Sequence, residues 1–304
     1  MPNNIFDVIV IGGGPSGMTA ALYALRGGKK VLIIEKDNFG GQIANSPRVE
    51  NIPSIIEISG EQYASDLFDQ INNLGVEFEA EEVLEVQKLD NIFEVKTNYG
   101  THFSKTVILS TGVKHRHIGV DKEEEFVGHG ISYCAVCDGA FYKGKDVVVI
   151  GDANTALQYA ILLTNYCKKV TICTLFDKFF ADNILIERIK NKDNLEYFHN
   201  LSLKSFEGKN ELTGLTFTNT KTNEEFKISC DGVFIAIGQI PDNERYKNVV
   251  DLNKGFIVVN EKMETKTPGL FASGDCTVKD VRQVVTACND GAIAATMALR
   301  YLDN

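Results

Sequence analysis

The stretch "SYCAVCDGAFY" sets Cys134 and Cys137 three residues apart and puts Asp138 directly after the second thiol. Two thiols at this spacing can close a small disulfide, and a helix beginning there would lower the pKa of a thiolate at its N-terminus. The same spacing makes half of a zinc site, which wants a second pair of cysteines at similar separation. The other five, Cys167, Cys173, Cys230, Cys276 and Cys288, stand singly and read as small buried hydrophobes. That distribution favours redox chemistry over a metal, and no metal site is expected.

A second stretch, "GGGPSG", spaces Gly12, Gly14 and Gly17 as G-x-G-x-x-G, with Pro15 and Ser16 between. It follows an apolar strand and opens a helix, and Glu35 ends the next strand 21 residues after Gly14. Each part then has a job. Gly12 makes the turn, Gly14 lets a pyrophosphate approach the backbone, Gly17 lets helix pack on strand, and the helix N-terminus attracts anionic groups. Glu35 can accept from a ribose hydroxyl. The hexapeptide alone does not decide between FAD and NAD.

These chemical groups need elements to position them, and the chain carries the same set twice. Residues 7–36, "DVIVIGGGPSGMTAALYALRGGKKVLIIEK", match residues 146–175, "DVVVIGDANTALQYAILLTNYCKKVTICTL", element for element. Strand, small-residue turn, amphipathic helix and second strand make a βαβ unit. Two of them predict an α/β protein of two Rossmann-like, doubly wound modules. After each module come alternating strands with turns at Asn98–Gly100 and Asn219–Asn223, which read as antiparallel meanders. Each meander ends in an apolar strand and a small-residue turn, Ser110–Gly112 and Ala236–Gly238. The tail reads as a strand, a Gly–Asp turn and a closing helix.

The second turn departs from the first. It keeps Gly151 and Ala156 but has Ala153 where Gly14 stands, so a methyl group projects where a pyrophosphate must come close. Asp152 adds a negative charge at a helix N-terminus that would otherwise attract phosphate.

With 304 residues, 44% of them hydrophobic, the chain is long enough for one large or two medium domains. A net charge of −10 argues against a general nucleic-acid binder. No apolar run approaches the roughly 18 residues that span a bilayer, so no membrane association is expected. The N-terminus enters a strand without a cationic leader. With no disulfide scaffold in view, this leads to the expectation of a cytoplasmic protein with reduced thiols.

Three further stretches, "GGQIANSPRVENIP", "FASGDC" and "RQVVTACNDGAIAA", complete a pattern that resembles the low-molecular-weight thioredoxin reductases over essentially the whole length. The resemblance implies FAD as cofactor, lined by Gly41, Gln42 and Asn51, with Asp275 at the pyrophosphate and ribityl chain. Arg282, Gln283 and Val284 would meet the flavin ring at a helix start, which favours the anionic reduced ring. Thr111 and Gly112 complete the expected cofactor set. It also implies that Cys134 and Cys137 form the active-site disulfide. Cys137 would face the flavin, Cys134 would attack thioredoxin, and Asp138 would act as general acid. A homodimer is expected on the same ground.

The family's NADPH module carries G-x-G-x-x-A and then H-R-R-x-x-x-R after its next strand. Here those basic positions fall on Thr174, Leu175, Phe176 and Phe180. Losing several charge-assisted hydrogen bonds, each worth about 1.5–3 kcal/mol, weakens binding by orders of magnitude. A branch of the family, the ferredoxin-linked flavin thioredoxin reductases, shows this combination of a kept flavin and C-x-x-C with lost nucleotide motifs. A ferredoxin near about −400 mV lies roughly 130 mV below thioredoxin, which makes a two-electron transfer downhill by about 6 kcal/mol. The expectation is therefore a flavin-dependent disulfide reductase fed by ferredoxin. An FAD domain would span 1–115 and 246–304, and a degenerate nucleotide-like domain at 116–245 would carry the disulfide. The alternatives are an NADH- or NADPH-dependent reductase with atypical contacts, and a non-catalytic redox-sensing flavoprotein.

Overall fold

The computed structural model describes residues 4–46 and 49–303. From the N-terminus, β1 (Ile5–Ile11) runs through the Gly-rich turn into α1 (Pro15–Arg26) and β2 (Val31–Ile34). Proline suits the first helical position of α1, where no backbone N–H is needed. Next come α2 (Gly60–Asn72), β3 (Glu77–Glu79) and the meander β4 (Val83–Leu89), β5 (Ile92–Thr97) and β6 (Thr101–Leu109). The short β7 (Lys114–His115) leads to β8 (Ile131–Ser132), α3 (Ala135–Asp138), β9 (Asp146–Ile150), α4 (Asn154–Leu163) and β10 (Lys169–Cys173). Then follow α5 (Asn183–Lys190), β11 (Leu195–Phe198), a second meander of β12 (Leu201–Gly208), β13 (Leu212–Asn219) and β14 (Glu225–Ser229), and β15 (Gly232–Ile235). The chain closes with β16 (Gln239–Ile240), β17 (Leu252–Asn253), β18 (Phe256–Ile257), β19 (Leu270–Ala272) and α6 (Val284–Leu302).

Two compact units result, one of residues 1–114 with 240–304 and one of residues 115–239. In the first, the sheet order is β3-β2-β1-β6-β5-β4, with β19 also paired to β6. β1 lies parallel between β2 and β6, with Val10 opposite Ile33 and Ile108. Val8, Ile9 and Val10 are fully buried, which is why this strand reads as a continuous apolar run. α1 and α6 pack closely on one face, where a Cβ on Gly291 would land on the Ser16 carbonyl.

The second unit holds the parallel order β11-β10-β9-β15-β8, with the three-stranded β12-β13-β14 meander beside it. In the turn after β13, Asn219 Oδ1 accepts from the N–H groups of Lys221 (2.9 Å) and Thr222 (3.1 Å). Both units are Rossmann-like α/β layers, as the paired βαβ segments predict.

The second crossing between the units falls at 239/240 and not at 245/246. Residues 240–245 pack with the first unit because Asn243, fully buried, bonds there on both sides of its amide. It accepts from Thr111 Oγ1 (2.9 Å) and donates to the carbonyls of Gly255 (2.9 Å) and Cys276 (3.1 Å). Arg245 donates to Glu82 Oε1 at 2.9 Å. Among the described residues, no helix is long and apolar enough to cross a membrane.

Candidate redox and cofactor sites

In the second unit, Cys134 and Cys137 are joined as a disulfide, with Cα atoms 5.3 Å apart. Cys134 caps the single-turn α3, and its sulfur accepts from the Cys137 N–H at 3.2 Å. Asp138 closes that turn. Ser132, buried on β8, donates its hydroxyl to Asp138 Oδ2 at 2.6 Å and accepts from the Cys134 N–H at 3.0 Å. The other carboxylate oxygen, Oδ1, is buried and makes no hydrogen bond. Burial pushes the Asp138 carboxyl above its ordinary value, and the Ser132 bond pulls against that rise. A carboxyl held toward its protonated form beside a disulfide can deliver a proton to a departing thiolate.

The single cysteines have a different character. Cys167, Cys173, Cys230 and Cys276 are buried, and burial pushes Cys167 up to about 11 and Cys230 up to about 12. Thiols so placed stay protonated and inert.

In the first unit the Gly-rich turn is built on close backbone packing. Gly12 has φ +112°, a Cβ there would strike the Ser110 carbonyl, and one on Gly17 would strike the Gly12 carbonyl. Gly14 caps α1 in extended conformation with open space before it, since the nearest atom to a Cβ there is the Gly40 carbonyl oxygen at 3.9 Å. Pro15 is the first residue of α1. Ser16 turns its hydroxyl inward, donating to Ser273 Oγ (2.9 Å), which also bonds Ser110 Oγ (2.8 Å). The Glu35 carboxylate accepts from Gly13 N–H (2.6 Å) and Asp37 N–H (2.8 Å), so it braces the turn while keeping acceptor capacity.

The loop residues gather around this turn. The Gly40 N–H donates to the Gly13 carbonyl at 2.9 Å, bringing Gly41 against Gly14. Gln42 donates to the Val113 carbonyl, next to Thr111 and Gly112. Asn51 Nδ2 donates to Gln283 Oε1 at 3.0 Å, and Gln283 caps α6, of which Val284 is the first residue. Arg282 uses its guanidinium on the carbonyls of Asp275 (3.2 Å), Lys279 (2.9 Å) and Thr277 (3.2 Å), so it shapes the loop before α6.

Asp275 gives the test of fit. Its Oδ1 is buried without a hydrogen-bond partner, and burial raises its carboxyl pKa. An orphaned buried acceptor next to an open phosphate turn suits a group that brings hydroxyl donors, as the ribityl chain of FAD does. The residues present fit that cofactor.

The second turn is different above its backbone. Gly151 keeps the turn and Ala153 caps α4 with φ −105° and ψ −178°, nearly the −79° and −178° of Gly14. The methyl of Ala153 therefore occupies the place that Gly14 leaves open. The segment after β10 is tied to the turn: the Phe180 N–H donates to the Asp152 carbonyl (2.7 Å), and Asn154 and Asp182 exchange bonds of 2.9 and 2.8 Å. Leu175, Phe176 and Phe180 are half exposed. Thr174 is buried, with its hydroxyl bonded to the Phe176 carbonyl and His199 Nδ1, both at 2.7 Å. The neighbouring cations are engaged: Lys178 lies over the Phe180 ring (5.2 Å), and Lys221 pairs with Asp177 (3.5 Å). Burial lowers the His199 pKa, keeping the ring neutral near pH 7.

Sequence reasoning missed Ser132, Ser273 and Asn243. Only Ser132 carried a signal, standing two residues before Cys134 at the end of the short strand that leads to it.

The model of the pyridine nucleotide-disulphide oxidoreductase family matches residues 6–291. Thioredoxin reductase of Bacillus subtilis is 39% identical over 301 residues, 98% of this chain and 95% of its own. The crystal structure of thioredoxin reductase from Streptococcus pyogenes superposes with a TM-score of 0.95 at 37% identity, covering 99% of each chain. The enzyme of Giardia duodenalis superposes with a TM-score of 0.93 at 28% identity, covering 99% of this chain and 100% of that one.

Proposed function

Since the chain belongs to the pyridine nucleotide-disulphide oxidoreductases and, within them, to the low-molecular-weight thioredoxin reductases, we propose that its electrons come from a ferredoxin-type carrier and not from NADPH. It is an oxidoreductase and an FAD-binding flavoprotein with thioredoxin as its disulfide substrate. The observation that carries the donor reading is Ala153, whose methyl stands at the cap of α4 where Gly14 caps α1 with none. The half-exposed Leu175, Phe176 and Phe180, in place of a cationic clamp, support the same reading.

Bound FAD would supply the chemistry of joining one-electron transfers from such a carrier to the two-electron reduction of a disulfide. The turn at Gly12, Gly14 and Gly17 and the N-terminus of α1 would hold its pyrophosphate, Glu35 would accept from its ribose, and Asp275 would take a ribityl hydroxyl. Gly41, Gln42, Asn51, Thr111, Gly112, Gln283 and Val284 would form the ring's surroundings, with Arg282 bracing the loop before α6.

The reduced Cys134–Cys137 pair then carries two electrons. The Cys134 thiolate attacks the thioredoxin disulfide, forming a mixed disulfide and releasing one thioredoxin thiolate, which takes the proton of Asp138. Cys137 attacks the Cys134 sulfur, closing the original disulfide and releasing the second thiolate, protonated from water. A homodimer acting in the cytoplasm completes the proposal, and sedimentation of the holoprotein tests the dimer.

The deciding experiment mixes oxidised holoprotein anaerobically with NADPH, with NADH, or with reduced ferredoxin and oxidised thioredoxin. Only ferredoxin is expected to bleach the flavin quickly and sustain thiol production. Rapid bleaching by either nucleotide at micromolar concentration overturns the donor assignment. Bleaching by ferredoxin without thioredoxin turnover identifies a redox sensor.

A further inference from the structure

We propose that Ser132 is a positioning residue for the disulfide centre, its hydroxyl locking the Asp138 carboxyl to the backbone of Cys134 and fixing which carboxyl oxygen carries the proton. The proposal rests on the catalytic roles assigned above to Cys134 and Asp138.

The geometry allows little freedom. A serine hydroxyl has one proton to donate and two lone pairs. Here the proton goes to Asp138 Oδ2 at 2.6 Å, the alternative contact with the Cys134 carbonyl being longer at 3.4 Å. A lone pair accepts the Cys134 N–H at 3.0 Å. Ser132 itself is 4% exposed. Its strand is held by pairing with β15, which sets Ile131 opposite Val233 and Ser132 opposite Phe234. A donor this fixed selects Oδ2 as acceptor, leaving the partnerless Oδ1 to carry the acid's proton.

Other groups act on the same carboxyl. The phenols of Tyr142, just beyond α3, and Tyr159, on α4, both face Asp138 electrostatically. The two cysteine thiols join them when the pair is reduced. Neither phenol ionises near neutral pH: burial pushes Tyr142 up to about 12 and Tyr159 upward as well. Burial raises the Asp138 pKa and Ser132 opposes it, so removing the hydroxyl moves the titration of Asp138 to higher pH. The Cys134 N–H loses its acceptor in the same step.

The test compares Ser132→Ala, Ser132→Thr and Asp138→Asn in FAD-loaded protein. Two readouts are used: single-turnover reduction of thioredoxin by dithionite-reduced enzyme across pH, and the carboxyl 13C titration of Asp138. For Ser132→Ala the carboxyl titration is expected to move up by about one pH unit, as loss of one such bond implies. Its rate should fall about tenfold with KM for thioredoxin unchanged, and its alkaline limb should move up with the carboxyl. Ser132→Thr, which keeps a hydroxyl, is expected to restore both. A wild-type titration curve in Ser132→Ala overturns the proposal, whatever the rates. An Asp138→Asn enzyme with the wild-type rate overturns the acid role instead, and the carboxyl titration then decides Ser132 by itself. If Ser132→Ala yields no folded protein, Ser132→Thr decides: a wild-type carboxyl titration supports the bond, and one displaced upward overturns it.

Discussion

The turns at Gly12–Gly17 and Gly151–Ala156 are two versions of one structure. In each the first glycine has positive φ, +112° and +151°. In each its N–H reaches across to the neighbouring strand, from Gly12 to Ile34 (2.9 Å) and from Gly151 to Cys173 (3.1 Å). In each the helix cap is extended. The difference lies above the backbone, where one turn is open before Gly14 and the other carries the Ala153 methyl and the Phe180 segment. A βαβ turn thus has an underside that keeps the fold and an upper side that chooses the ligand. The second unit keeps the first property, and the proposal is that it has lost the second.

The largest effects should come from the undersides. Gly17→Ala would drive a methyl into the Gly12 carbonyl, and Gly151→Ala would set one 2.8 Å from the Ala156 Cβ and against the Ala236 carbonyl. Both are expected to cost about 3 kcal/mol or more, since backbone stands in the way. Urea unfolding of the purified variants measures this. Only Gly17→Ala is expected also to purify without flavin colour. Equal flavin loss in Gly151→Ala would break the division of labour between the two turns.

A sharper test converts one turn into the other. Gly14 has φ −79°, which alanine adopts freely, and a Cβ there meets nothing closer than 3.9 Å. Gly14→Ala should therefore leave apoprotein stability within about 0.5 kcal/mol. It should weaken FAD binding by about 10- to 100-fold, or about 1.4–2.8 kcal/mol. Titration calorimetry of the apoprotein with FAD reads this directly. An unchanged affinity would show that a methyl at this position does not obstruct a pyrophosphate, and the main support for the donor assignment would go with it.

Asp275 offers a smaller effect on the cofactor side. Burial raises its pKa in the folded chain. A carboxyl so shifted contributes stability below its unfolded value of 3.8, and this is lost as pH rises through the folded value. Above that folded value the apoprotein carries the cost of an ionised carboxylate with an orphaned oxygen. Asp275→Asn should flatten that pH dependence and leave the apoprotein as stable as the wild type or slightly more so, while lowering FAD affinity. Thermal unfolding of both apoproteins as a function of pH, from the unfolded value of 3.8 upward, the side to which burial moves the group, checks it. A destabilised Asp275→Asn apoprotein would mean that the carboxylate serves the fold before it serves the cofactor.

Much of this was legible in the chain because it is local. Strand periodicity and glycine spacing give both βαβ units, and three residues of spacing give Cys134 and Cys137. What stayed hidden depends on distant strands meeting. The hydroxyls of Ser16 and Ser110 converge on Ser273 across 257 and 163 residues. Ser132 finds Asp138 because pairing with β15 fixes its strand. The guanidinium of Arg282, which family likeness sends to the flavin ring, is engaged by three loop carbonyls that no spacing rule announces. The 239/240 crossing was displaced because Asn243 satisfies its amide in the first unit, and a sequence pattern does not say where a side-chain amide finds its partners.

The smallest effect is the most discriminating for the electron donor. Ala153→Gly removes the one methyl that separates the two caps. Glycine is a somewhat better helix cap than alanine, and the exposed position has no packing to lose, so stability should change by less than about 0.5 kcal/mol. If the methyl were the only obstacle, this variant would gain reduction by NADPH. The expectation is that it does not, because a nucleotide placed there would still meet Leu175, Phe176 and Phe180 where its charge needs cations. Adding Leu175→Arg and Phe176→Arg to Ala153→Gly should then produce measurable bleaching of the flavin by NADPH, with the single variant and the arginine pair each remaining inert. Full activity from Ala153→Gly alone would place the whole barrier in one methyl group. Inertness of the triple variant would place it in the Phe180 segment, whose backbone holds the Asp152 carbonyl at 2.7 Å.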